Sequence, residues 1–137
     1  MDTNAAMDIF SFGGGVQSTA SLVLAAQGKL ECDTFVFANV GDNSENPATL
    51  DYVRDYARPF AERHNLNIVE VSYGKELYDH VMAANRTIDI PIRMANGAPG
   101  NRTCTFRWKI NVVAKWLKTH IDKQEYGVGL GISIDEW

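Results

Sequence analysis

The sequence predicts an α/β protein: a doubly wound parallel sheet with helices on both faces. Three observations carry this. Apolar, β-favouring runs alternate with segments of helical periodicity. The runs are nearly continuous in apolar residues, as strands covered on both faces are. The first of them ends in a glycine-rich turn that leads straight into a helix. Crossovers of one hand between such units give a parallel sheet, and ligands then bind beyond the carboxyl ends of its strands, near the point where strand order reverses.

The elements follow in order. Residues 7–12 read as strand one. Ser11-Phe12-Gly13-Gly14-Gly15-Val16-Gln17-Ser18-Thr19 comes next and opens helix one, with Ser18 or Thr19 as its cap and Gly28 as its left-handed end. Strand two lies within 30–40. Asn46 and Pro47 form an N-cap followed by proline in the first turn, and helix two runs to about residue 64 with Leu50, Val53, Tyr56, Ala57 and Phe60 inward. Strand three is 67–71, and a short helix over 76–84 follows the break at Gly74. Residues 85–105 read as irregular, punctuated by Pro91, Asn96, Gly97, Pro99 and Gly100. A helix over 106–121 turns Ile110, Val113, Ala114 and Leu117 inward, and 125–132 is strand four.

With 137 residues the expectation is one domain over 1–137, and 45% hydrophobic with 22% charged residues suits a water-soluble fold. A net charge of −4 without a long basic run argues against non-specific binding to nucleic acid or anionic membrane; a nucleic-acid substrate stays open but is not indicated. No apolar run reaches the length of about 18 residues that crosses a bilayer. The first residues, Met1-Asp2-Thr3-Asn4, lack the basic start and apolar stretch of a signal peptide. Cys32 and Cys104 stand far apart, which fits a reducing cytoplasm, gives no disulfide framework and offers no complete zinc or iron–sulfur ligand set.

The glycine turn is the first chemical signal. A strand, a glycine turn and a helix N-terminus together make a phosphate or sulfate site, because backbone N–H groups and the positive end of the helix dipole meet there. A Walker A loop is excluded, since no lysine follows the glycines. The dinucleotide fingerprint fails too, with Ser18 where its last glycine belongs. The binding candidates are Ser11, Gly13, Gly14, Gly15, Gln17, Ser18 and Thr19. The second signal is Asn101-Arg102-Thr103-Cys104-Thr105-Phe106-Arg107-Trp108-Lys109, which gathers cations near a helix start; Arg102 and Lys109 are the candidate anion contacts. Cys104 beside them is a candidate nucleophile, sulfur carrier or ligand, and Cys32 reads as core. Asp42 and Glu45 follow strand two. Gly131 and Ser133 follow strand four, with Asp135 or Glu136 as carboxylates suited to magnesium. His64, His80 and His120 are scattered and read as surface or packed histidines.

The glycine turn resembles the PP-loop, Ser-Gly-Gly-x-Asp-Ser, of the ATP pyrophosphatases and the phosphoadenylyl-sulfate (PAPS) reductases. Gly14 and Gly15 match its paired glycines and Ser18 its last serine, while Gly13 stands for the first serine and Gln17 for the aspartate. Arg102-x-Cys104 with downstream Lys109 resembles the Arg-x-Cys and lysine of the PAPS reductase-like group. Gly131-Ile132-Ser133 resembles its Gly-Ile-Arg strand ending, with serine for arginine. The resemblance implies a Rossmann-like adenine nucleotide α-hydrolase fold that binds ATP or PAPS, with magnesium as a conceivable companion. It implies Asp42 near the adenosine; Cys104 and Lys109 are the catalytic candidates, although the reductases themselves use a cysteine in a C-terminal tail motif that this sequence does not show. The implied reaction is cleavage of ATP between the α- and β-phosphates with adenylyl transfer, or sulfur transfer. The alternative is a non-catalytic or truncated nucleotide-binding module acting in a complex. Domains of this kind continue past strand four, so a homodimer or a missing C-terminal partner would cover the open sheet edge.

Overall fold

Four strands form one parallel sheet in the order β3-β2-β1-β4: β1 is Met7–Ser11, β2 Thr34–Asn39, β3 Asn67–Ser72 and β4 Gly127–Leu130. The β1–β2, β1–β4 and β2–β3 ladders are all parallel, with Phe10 opposite Phe35, Ser11 opposite Leu130 and Phe37 opposite Glu70. The computed structural model describes residues 7–83, 90, 93–100, 104, 106–122 and 125–132. Between the strands lie α1 (Val16–Ala26), α2 (Pro47–Tyr52), α3 (Arg58–Arg63), α4 (Leu77–Met82) and α5 (Asn111–His120).

Side chains alternate across the strands, and the two faces bury different helices. Phe10, Phe12, Phe35, Phe37 and Ile68 pack with Leu22 of α1 and with Val53, Ala57 and Ala61. Ile9, Val36 and Ala38 pack on the other face with Val113 and Leu117 of α5. Strand order explains the division. The chain steps outward from β1 to β2 to β3, then returns past β1 to β4. When all crossovers keep one hand, that reversal moves the last helix to the opposite face. The reversal also defines a crevice between the carboxyl ends of β1 and β4.

The end of α1 follows the sequence. Gly28 has φ +71°, and Lys29 N–H donates to Leu24 O at 2.9 Å while Gly28 N–H donates to Ala25 O at 3.0 Å, the paired bonds of a Schellman motif. Asn46 caps α2 as expected, its Oδ1 accepting from Ala48 N–H at 2.9 Å. Helix two is continuous to Arg63 but contains a π turn over Val53–Ala57, in which Arg58 N–H reaches back to Val53 O. Pro59 comes next. It has no N–H to give, and its ring crowds the carbonyl four residues back, so a widened turn relieves it. The extra residue in that turn rotates the following face. Tyr56, expected inward, is 67% exposed and stacks on Tyr52, while Ala61 is buried instead. A second π turn, Phe106–Ile110, precedes α5 and has the same effect: Ile110 is exposed rather than inward, and Trp108 is fully buried against Val40 and Leu77.

Candidate functional site at the carboxyl ends of β1 and β4

β1 ends at Ser11, and Phe12 N–H still donates to Val36 O at 2.9 Å, so the buried Phe12 ring anchors the last ordered step before the glycines. Gly14 then has φ +78°, and a β-carbon there would stand 2.9 Å from the Thr49 methyl of α2. Both the dihedral and the close approach require glycine. Gly15 is the N-cap of α1, and no side chain caps it. This corrects the assignment of the cap to Ser18 or Thr19. The helix opens one turn earlier, at Val16, and the buried Ser18 hydroxyl donates to Gly15 O at 3.1 Å. The groups the loop presents are therefore mainly backbone: first-turn N–H groups have no intrahelical acceptor and carry the positive end of the dipole. Thr19 N–H is the first to close on the helix, donating to Gly15 O at 3.0 Å.

β4 meets this turn from the other side. A β-carbon on Gly131 would lie 2.9 Å from Ser18 N and 3.0 Å from the Gln17 carbonyl carbon. The strand end thus abuts the first turn of α1 directly, and Gly131 is what permits it. Ser11, Gly13, Gly15, Gln17 and Gly131 gather at the point where strand order reverses.

A cleft of about 520 Å³ opens beside the loop. Ser11 and Gly13 form one end of its wall, Lys109 and Ile110 come from the start of the last helical stretch, and Val128 and Leu130 come from β4. Its lining is mainly apolar, with Lys109 supplying the charge. Lys109 Nζ is 3.8 Å from Glu45 Oε2, and Glu45 is the more buried of the two, its side chain 15% exposed against 46% for the lysine. Glu45 Oε2 is buried without a hydrogen-bond donor among the described residues. The loop carrying Glu45 is held by Ser44 and Glu45 N–H groups on Gly41 O at 3.0 and 2.9 Å, and by Ser44 Oγ donating to Glu76 at 2.8 Å.

Asp42 lies elsewhere. It belongs to a polar cluster at the carboxyl ends of β2 and β3 that the sequence reading missed. Buried Asn39 donates through Nδ2 to Asp42 at 3.1 Å and to Glu70 at 2.8 Å, and its Oδ1 accepts from Gly41 N–H at 2.8 Å. Arg58 in turn donates to Glu70 at 3.0 Å and to Ile68 O at 3.0 Å. These residues line a second cleft of about 500 Å³ on the α2 face, together with Arg54, whose hydrogen bond to Asp55 holds that carboxyl below the usual carboxylate range. The available signal was an asparagine closing an otherwise apolar strand and a glutamate within β3.

Cys104 is half-buried and packs with Val40, Leu77 and Trp108, a different group from the residues lining the Lys109 cleft. Cys32 is buried as expected, and burial pushes its thiol above the ordinary value. The histidines do not converge: His64 lies against Phe60, His80 against Trp108, and His120 stacks on Trp116. Arg102, Ser133, Asp135 and Glu136 lie outside the described residues. Among the described residues no group of three His, Cys, Asp or Glu side chains is placed to hold a metal ion. Nor, among those residues, is any helix long and apolar enough to cross a membrane. Compared with protein-family models, curated proteins and solved structures, the chain gives no match in any of the three.

Proposed function

We propose that the chain binds an adenine nucleotide, ATP or PAPS, as a PAPS reductase-like protein of the adenine nucleotide α-hydrolase fold. One observation carries the reading. The uncapped N-terminus of α1, reached through the Gly13–Gly15 turn, sits at the switch point of a parallel sheet beside a cleft with one lysine. First-turn N–H groups would donate to phosphate or sulfate oxygens, and the Gln17 amide can add a donor. Lys109 brings a mobile positive charge, and the apolar cleft wall suits a planar base.

Turnover is a separate matter. Cleavage between the α- and β-phosphates needs an acceptor to attack the α-phosphorus while pyrophosphate leaves, and the loop would hold the leaving pyrophosphate. The second reading, a nucleotide-binding module without turnover of its own, draws support from two features. Gln17 supplies no negative charge where the PP-loop has aspartate, and Cys104 packs into the Trp108 cluster.

A thermal-shift series with ATP, AMP, PAPS and sulfate tests the binding claim. A ligand that binds only the native state stabilises it by about 2.7 kcal/mol at a hundredfold excess over Kd. A shift with ATP or PAPS that Gly14→Val abolishes supports the site. No shift from folded protein with any of the four refutes it. Pyrophosphate release from ATP then separates the enzyme from the binding module.

A further inference from the structure

We propose that Glu45 is a positioning residue that restrains Lys109, and so sets how strongly the site draws an anion. The inference rests on the nucleotide-site reading above and concerns which residue tunes it. Glu45 sits in a fixed loop: its own N–H and that of Ser44 bond Gly41 O, and its Oε1 accepts from Asn46 N–H at 3.3 Å. Its Oε2 is removed from water and, among the described residues, has no hydrogen-bond donor. The facing charge is the Lys109 ammonium at 3.8 Å, beyond the 2.7–2.9 Å of a charge-assisted hydrogen bond. Glu45 is thus the less exposed member, with Oε2 shielded from water on a loop held by backbone bonds, and the half-exposed lysine has the flexible stem that can turn away.

Lys109 also lines the cleft shared with Ser11 and Gly13. When it turns toward an anion on the glycine loop, Glu45 loses its compensating charge while Oε2 stays shielded from water. A carboxylate with one shielded oxygen left uncompensated is less stable, so anion binding works against that loss. Removing the charge at Glu45 lifts the restraint. Glu45→Gln keeps the shape and the Oε1 acceptor, and it frees Lys109 to follow the ligand. With one unit charge removed a few ångströms from Lys109 at partly buried depth, the affinity for a polyanion rises roughly tenfold.

The test is calorimetric titration of the full chain with inorganic pyrophosphate and, separately, with ATP, for the parent, Glu45→Gln, Lys109→Met and the double variant. The expected result is pyrophosphate binding about tenfold tighter in Glu45→Gln, with the gain gone when Lys109 is already methionine. A structural role for Glu45 would not depend on Lys109 in this way. Should Glu45→Gln fail to fold, Glu45→Asp serves instead. Its shorter carboxylate retains the charge but withdraws it from the ammonium, and a smaller gain, again dependent on Lys109, is expected. A parent that binds ATP while Glu45→Gln leaves pyrophosphate affinity unchanged, or a gain that persists without Lys109, overturns the restraint alone. Failure of every variant to bind pyrophosphate or ATP overturns the restraint, and failure of the parent to bind PAPS in the same titration overturns the nucleotide site as well.

Discussion

Replacing Gly14 by alanine tests how the glycine turn is held. Two costs follow from its geometry. The φ of +78° places a β-carbon in the left-handed region, worth about 1–2 kcal/mol. That carbon would also stand 2.9 Å from Thr49 Cγ2, an overpacking that costs about 1–3 kcal/mol. Against these, alanine stiffens the unfolded chain and returns about 0.4–1 kcal/mol. The net loss is about 3 kcal/mol, or a Tm lower by about 10 °C for a chain of this size. The two costs separate in a double-mutant cycle. Thr49→Ser removes the offending methyl and leaves φ untouched, so in the Gly14→Ala background it recovers about 1–2 kcal/mol, although in the parent it is mildly destabilising. Urea unfolding at constant m-value is the assay. A Gly14→Ala protein as stable as the parent would refute the backbone argument, and additive single effects would refute the contact with α2.

Other perturbations have equally definite outcomes. Phe35→Ala empties the centre of the aromatic cluster, where the Phe35 ring lies 5.4 Å from that of Phe10 and 6.3 Å from that of Phe12, and is expected to cost about 3–5 kcal/mol in chemical denaturation. Asn39→Ala leaves Asp42 and Glu70 facing each other without their shared donor; a loss of about 1–3 kcal/mol is expected, and Arg58→Ala in the same protein should be non-additive with it. The Cys32 thiol is raised chiefly by burial, with the Asp33 and Asp8 carboxylates adding to it and the hydrogen bond to Thr34 opposing. A raised thiol favours the neutral form in the folded state. Its contribution is therefore complete below the ordinary thiol range and is lost as pH rises through that range. Unfolding free energies measured from pH 7 to 10 should fall less steeply in Cys32→Ala, and an unchanged slope would count against the assignment.

Features set by local chemistry were legible in the sequence. Asn46 before Pro47, Gly28 after an apolar helix and a near-continuous apolar β2 each report their own neighbourhood. The sheet followed from them through the rules for crossovers. What stayed hidden depended on distant residues or on a change of period. A period of 3.6 residues per turn puts Tyr56 and Ile110 inward, but each lies in or at the end of a π turn that breaks the period. Pro59 was the visible hint for the first of these. Trp108 shows the converse, a core residue whose inward face the regular count does not identify. The Asn39–Glu70–Arg58 cluster joins three elements and needs the β2–β3 register, Phe37 opposite Glu70, before it can be seen. The glycine loop is legible from its own residues, but its cap is not: Ser18 and Thr19 carry the hydroxyls that suit an N-cap, while the helix starts from the bare backbone at Gly15.

On the proposed reading, a nucleotide's phosphate or sulfate end rests on the first turn of α1. The most direct measurement is amide chemical-shift mapping of isotope-labelled protein titrated with ATP and with PAPS. The largest, saturable shifts are expected on the amides of Gly13 through Gln17 and of Gly131, with Lys109 responding through its side-chain resonances. Shifts confined to the groove between Tyr73 and Trp116, or no saturable shifts at all, would contradict it.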